Sequence, residues 1–203
     1  MKPVVLKLLT IAALAASAAS AATPAAPGVG LKAPAPLPSD SVYQLPLPLT
    51  DQDGRTADWR QNRGKPQLVS MFYTSCQYIC PLIVDSGKAI ERQLTPTQQK
   101  RVGIVLISMD PARDNPAALR SVVDKRKLDT QRWTLAAPPV ADVRAAAGVL
   151  GIRYRHLADG EFNHTSALVL LDADGRVLAR TEQMGSRPDP EFIEAVRRAA
   201  STP

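Results

Sequence analysis

Leu68-Val69-Ser70-Met71-Phe72-Tyr73-Thr74-Ser75-Cys76-Gln77-Tyr78-Ile79-Cys80-Pro81 is the stretch whose reading decides the fold. Its apolar run follows Gly64-Lys65-Pro66 and predicts a central strand over 68–73. Pro81 suits the first position of a helix, and Leu82, Ile83, Ile90 and Leu94 then recur on one helical face. Strand, short turn and helix start therefore bracket both cysteines of the chain. Unpaired N–H groups and partial positive charge at a helix N-terminus favour an ionised sulfur. A small structural disulfide between the same two residues is the competing reading.

Downstream, Thr95-Pro96 predicts a second helix start, with Thr95 as its N-cap. Val102 to Ser108 is another uninterrupted apolar run, the pattern of a parallel strand covered on both faces. Asp110-Pro111-Ala112-Arg113-Asp114-Asn115-Pro116 follows as a loop at the C-terminal end of that strand, where open α/β sheets place their sites. A surface turn with an Arg–Asp pair accounts for these residues equally. Helix over 117–127, a short strand over 132–135 and helix over 139–149 come next. In the last, Val140, Val143, Ala147 and Leu150 share a side. Residues 152–155 read as extended. Residues 165–171 and 176–181 read as a hairpin across Asp172-Ala173-Asp174-Gly175, and 189–200 as a closing helix with Phe192, Ile193 and Val196 inward. The alternation predicts an α/β fold with a mixed sheet.

Upstream, Lys2 and Lys7 precede an Ala-rich apolar segment and Ala-x-Ala sites, so residues 1–22 read as a signal peptide, with an uncleaved anchor as the alternative. Removing them takes away two lysines and no acid, which lowers the formal charge from +6 to +4. Residues 23–40 are a Pro- and Ala-rich linker, and 41–203 form one domain. Tyr43 to Leu49 fits an edge strand because its prolines forbid a central one. Asp51-Gln52-Asp53-Gly54 is a hairpin turn. Two Trp, four Tyr and three Phe fall in no nucleic-acid motif, and the basic residues are dispersed, which argues against nucleic-acid binding. Export implies a periplasmic or other extracytoplasmic location, where thiols are paired, metal-bound or kept reduced.

The chain has two cysteines and two histidines. His164 stands just before the strand expected at Thr165, and His156 lies in an expected loop with Asp159-Gly160-Glu161. Cys76, Cys80 and His164 make a three-ligand set. Zinc closure would require His156 as a fourth ligand. Cu(I) accepts three soft ligands, and Cu(II) can use thiolate plus nitrogen, so copper suits the set best. The same dithiol, with three intervening residues in place of the two usual in dithiol oxidoreductases, also permits thiol–disulfide exchange.

These residues resemble the Sco/SenC family of copper chaperones. The resemblance is carried by Phe72-Tyr73-Thr74-Ser75-Cys76-Gln77-Tyr78-Ile79-Cys80-Pro81, by Asp110-Pro111-Ala112-Arg113-Asp114, and by His164-Thr165-Ser166 followed by Asp172-Ala173-Asp174-Gly175. It spans roughly Tyr43 to Ala199. It implies a thioredoxin-like mixed sheet flanked by helices, with an N-terminal β-hairpin extension. It further implies copper, as Cu(I) or Cu(II), on Cys76, Cys80 and His164. The implied role is a metallochaperone that serves the binuclear copper site of a cytochrome c oxidase subunit or another copper protein. Reduction of that subunit's cysteines, supplied by a thiol–disulfide reductant, is the alternative. Membrane contact is expected only through an uncleaved leader. Two positions depart from the family pattern. Asn163 replaces a frequent Asp before the histidine, which removes a nearby negative charge and weakens Cu(II) relative to Cu(I). Gln77 replaces a frequent Pro, which loosens the turn.

Overall fold

A computed structural model describes residues 36–76 and 79–201. The expected signal peptide and most of the expected linker lie outside the described residues. In chain order the elements are β1 (Pro48–Asp51), β2 (Thr56–Asp58), β3 (Gln67–Phe72), α1 (Ile79–Arg92), α2 (Pro96–Arg101), β4 (Gly103–Ser108), α3 (Pro116–Arg126), β5 (Trp133–Ala137), α4 (Val143–Val149), β6 (Tyr154–His156), β7 (Phe162–His164), β8 (Leu168–Leu171), β9 (Val177–Thr181) and α5 (Pro190–Ser201). Seven strands form one sheet in the order β2-β1-β5-β4-β3-β8-β9, and β6 pairs with β7 as a separate hairpin.

The centre of the sheet follows from the two apolar runs. Every residue of β3 and β4 is buried, and the two strands run parallel with Phe72 opposite Ser108. Parallel strands buried on both faces tolerate continuous apolar sequence. On one side β5 continues the parallel set, and on the other β8 and β9 add antiparallel strands. The β1–β2 hairpin extends the opposite edge through β1 and β5. Its turn is the expected one: Gly54 (φ 76°) donates its N–H to the Asp51 carbonyl at 3.0 Å. The fold is the expected thioredoxin-like α/β arrangement of a mixed sheet flanked by helices.

Local chemistry fixes the helix ends. Thr95 and Gln98 form a reciprocal capping box at the start of α2, and Asn115 caps α3 ahead of Pro116. Helix α1 is described from Ile79, so Pro81 sits within the first turn and not at its first position. That turn needs no intrahelical N–H from it. Ile83, Ile90 and Leu94 are buried as expected, whereas Leu82 is 41% exposed. Val140, placed with the buried side of the fourth helix, is exposed because Val140–Asp142 is a short 3-10 turn ahead of α4. Among the described residues no helix is long and apolar enough to cross a membrane.

Two further expectations change. Tyr43 does not enter a strand. Val42–Gln44 is a 3-10 turn capped by Ser41, and β1 begins only at Pro48, inside the outermost strand β2. The reason is docking onto the β8–β9 turn: Val42 N–H donates to the Gly175 carbonyl at 2.9 Å, and Ser41 Oγ donates to the Asp174 carbonyl at 2.5 Å. The His156 and His164 segments are also not a loop and a strand approach. Both histidines end short strands of the β6–β7 hairpin, and the sheet strand starts only at Leu168. Thr165 N–H donates to the Arg153 carbonyl at 2.8 Å, which prolongs the hairpin past His164.

Gly87 in α1 carries a testable packing constraint. A Cβ built there lies 2.5 Å from Cη2 of the buried Trp133 ring. In an open helix, Gly→Ala gains about 1 kcal/mol. Here the clash with a packed indole costs about 1–3 kcal/mol, so Gly87→Ala should destabilise on balance. A lowered urea midpoint is expected, and a raised one would show that the ring yields freely.

Candidate functional site

Strand β3 ends at Phe72, and the chain turns through Tyr73, Thr74 and Ser75 to reach Cys76. The neighbouring strand keeps step, because Met109 N–H donates to the Phe72 carbonyl at 2.8 Å. The cysteine turn and the Asp110–Asp114 loop thus leave the same end of the sheet. Asp114 joins them. Its buried carboxylate accepts from Thr74 N–H at 3.1 and 3.2 Å, from Thr74 Oγ1 at 2.6 Å and from Ser108 Oγ at 2.5 Å. Burial raises its pKa, and the hydrogen bonds from Ser108 and Thr74 pull the other way. Asp114 is therefore an internal brace of the cysteine turn and not part of a surface turn.

Both cysteines are buried, and no disulfide joins them. Cys80 N–H, at the start of α1, points to Cys76 Sγ at 3.4 Å, and Tyr73 N–H points to Cys80 Sγ at 3.4 Å. The helix terminus does direct an amide at a sulfur, as its unpaired donors allow. Cys80 receives the Tyr73 N–H instead, and burial pushes its thiol well above the usual range against that donor, with the neighbouring Cys76 adding to the rise. A thiol held protonated in this way releases its proton when a metal takes its place. Beside the sulfurs lies a cleft of about 150 Å³, lined in part by Tyr73, Pro81, Val122, Lys125 and Arg126.

His164 is half-buried at the end of β7. Its Nδ1 lies 3.3 Å from the Thr165 carbonyl, an acceptor, so Nδ1 carries the hydrogen. That tautomer leaves a lone pair on Nε2, which is buried and has no hydrogen-bond partner. One ring nitrogen tied to a carbonyl and the other free is the arrangement of a metal-ligating histidine. Its ring meets the Tyr73 ring edge-on, with centroids 6.0 Å apart. The backbone N–H of the same tyrosine points to Cys80 Sγ. The thiols are thus brought together, and one tyrosine links the histidine to them. Among the described residues no three His, Cys, Asp or Glu side chains stand close enough to hold a metal ion. His156 packs on Phe162 at 4.9 Å, at the other end of the hairpin from His164.

Sequence reasoning missed Tyr73 and Glu161. The Tyr73 hydroxyl donates to Glu161 Oε2 at 2.7 Å and accepts from Phe162 N–H at 3.4 Å. Arg113, ion-paired with Asp110, donates to the Gly160 carbonyl at 2.5 Å. Both ties reach the hairpin that bears His164. A hydroxyl inside an otherwise apolar strand end was the one available signal.

Burial holds His164 below 6.5, and the Thr165 carbonyl opposes it. The unfolded chain therefore binds the proton first on acidification, and stability should fall as pH drops from about 7 through 6.5, levelling off below the folded value. Urea midpoints across this window should show the slope in the wild type and lose it in His164→Gln. An identical slope in both would contradict the assignment.

A thioredoxin-like domain with a dithiol at the end of its central strand, and an imidazole on an adjoining hairpin, defines a class of thiol- and metal-handling proteins. The chain belongs to the SCO1/SenC family, whose model matches residues 37–201. A SCO1 protein homolog of Bacillus subtilis is 23% identical over 159 residues, covering 77% of this chain and 82% of the relative. Bradyrhizobium japonicum ScoI, solved with copper bound, superposes with a TM-score of 0.63 at 24% identity, covering 76% of this chain and 98% of the other. BsSco, described with a disulfide switch and as a member of the Sco family of cytochrome c oxidase assembly proteins, gives a TM-score of 0.66 at 21% identity, covering 78% and 94%.

Proposed function

We propose that this protein is an exported metallochaperone that takes copper on Cys76, Cys80 and His164 and supplies it during assembly of the binuclear copper site of cytochrome c oxidase. The observation that carries the reading is the His164 imidazole: its Nε2 lone pair is free and buried, one tyrosine away from two reduced thiols. Copper bound to Bradyrhizobium japonicum ScoI and the oxidase-assembly role of BsSco's family support it.

Copper is the cargo. Two soft sulfurs select Cu(I), and a nitrogen donor extends the set toward Cu(II). Loading displaces the thiol protons, so uptake should strengthen as pH rises. Three ligands leave the ion open on one side, where a recipient's cysteine or histidine can attach before the donor's ligands detach. The cleft beside the sulfurs, about 150 Å³, gives that access. The test is transfer. Protein loaded with one copper and mixed with a reduced apo copper-site fragment of the oxidase subunit should lose its metal to the fragment. Retention of copper at equilibrium would defeat the delivery role.

A second reading is favoured by the reduced, adjacent thiols and by the disulfide switch of BsSco. The dithiol would reduce a disulfide of the oxidase subunit, two electrons and two protons passing to the recipient as a Cys76–Cys80 disulfide forms. That reaction needs no imidazole. Its rate should be unchanged in His164→Ala, whereas copper transfer should fail.

A further inference from the structure

The hairpin that carries His164 is fastened at its turn by Arg113 on the Gly160 carbonyl and by the Tyr73 hydroxyl on Glu161. The second tie has the greater consequence. Tyr73 meets His164 with its ring and Cys80 Sγ with its backbone N–H, so one residue touches both sides of the three-ligand set. Its bond to the Glu161 carboxylate is charge-assisted, of the stronger kind. Nε2 of His164 remains buried and unpartnered, and no three-ligand group has closed among the described residues.

We propose that the Tyr73–Glu161 bond is a latch that holds His164 back from the two thiols and so sets which oxidation state of copper this protein prefers. The inference rests on the copper reading above and goes beyond it to the selectivity of the site. Cu(I) is satisfied by two soft sulfurs, whereas Cu(II) gains more from a nitrogen ligand. Bringing His164 to the metal shifts the hairpin against Tyr73 and breaks the bond to Glu161. A bond lost only in the His164-ligated state weakens that state alone. The latch therefore acts against Cu(II) and leaves Cu(I) nearly untouched. Asn163, which supplies no negative charge beside His164, acts in the same direction. Tyr73 is a positioning residue here, since it works through His164 and is not itself a metal ligand.

The experiment compares Tyr73→Phe, which keeps the ring and deletes the hydroxyl, with Glu161→Ala, which deletes the acceptor. Cu(I) and Cu(II) affinities are measured by competition with a chelator for each ion at fixed pH and salt. Each substitution should raise the Cu(II) affinity relative to Cu(I) by about tenfold, the effect of one charge-assisted hydrogen bond. The potential of the bound copper couple should fall by about 59 mV for that ratio. In a His164→Ala background neither substitution should move the ratio, a coupling that general loosening of the fold would not produce. An unchanged ratio in Tyr73→Phe overturns the latch, as does a shift that persists without His164. Should Glu161→Ala fail to fold, Tyr73→Phe alone decides. Failure of the copper reading looks different: the wild type takes up no copper, or its Cu(II) binding ignores His164→Ala.

Discussion

Cys76→Ser and Cys80→Ser should each abolish the sulfur-to-copper charge-transfer absorption of the Cu(II)-loaded protein and lower copper affinity by more than about 100-fold. The lower bound follows from scale, since loss of an outer-shell partner of a metal site already costs about 10–100-fold. A serine hydroxyl is hard and protonated at neutral pH, so it substitutes for neither the charge nor the softness of a thiolate. Each sulfur has its own backbone donor, the Cys80 amide at Cys76 and the Tyr73 amide at Cys80, so both are held in place for the ion. Folding should change little, as serine keeps the shape of cysteine. Optical titration checks the expectation. An intact band in either variant would remove that residue from the ligand set.

Asp114→Ala should be the most damaging polar substitution for stability. The carboxylate accepts from Thr74 N–H, Thr74 Oγ1 and Ser108 Oγ in a position only 1% exposed. Each orphaned buried donor costs about 1–3 kcal/mol. Part of this is offset, because burial already raises the Asp114 pKa and alanine removes that strain. A net loss of about 2–4 kcal/mol is expected from denaturant unfolding. Asp114→Asn keeps one acceptor oxygen and should lose about half as much. Copper affinity should fall as well, since Thr74 no longer anchors the turn that presents Cys76. Stability equal to wild type would show that the brace is dispensable.

How much of this was legible in the chain depends on the range of the interaction. The buried strands β3 and β4 were readable because their pattern is local, and so was the Thr95–Gln98 capping box. The cysteines' place after a strand and before a helix followed from the same local signals. Asp114 was placed in the right loop, but its partner Thr74 lies forty residues earlier and is found only in three dimensions. The turn at Tyr43 is not legible locally because its conformation is set by the β8–β9 turn, where a Cβ on Gly175 would stand 2.5 Å from the tyrosine ring. The β6–β7 hairpin leaves no trace in the sequence because three-residue strands carry no periodicity of their own. The hairpin's importance lies in contacts made 88 residues apart, between Tyr73 and Glu161.

The most direct measurement is an anaerobic copper titration of the reduced protein, wild type against His164→Ala. The wild type should take one copper per chain, with a Cu(II) charge-transfer spectrum that depends on the imidazole. The variant should bind Cu(II) about 100-fold more weakly and with a displaced band, as expected when a nitrogen ligand is lost from a site of two sulfurs. Superimposable isotherms and spectra would contradict the account, because they would leave His164 outside the metal site.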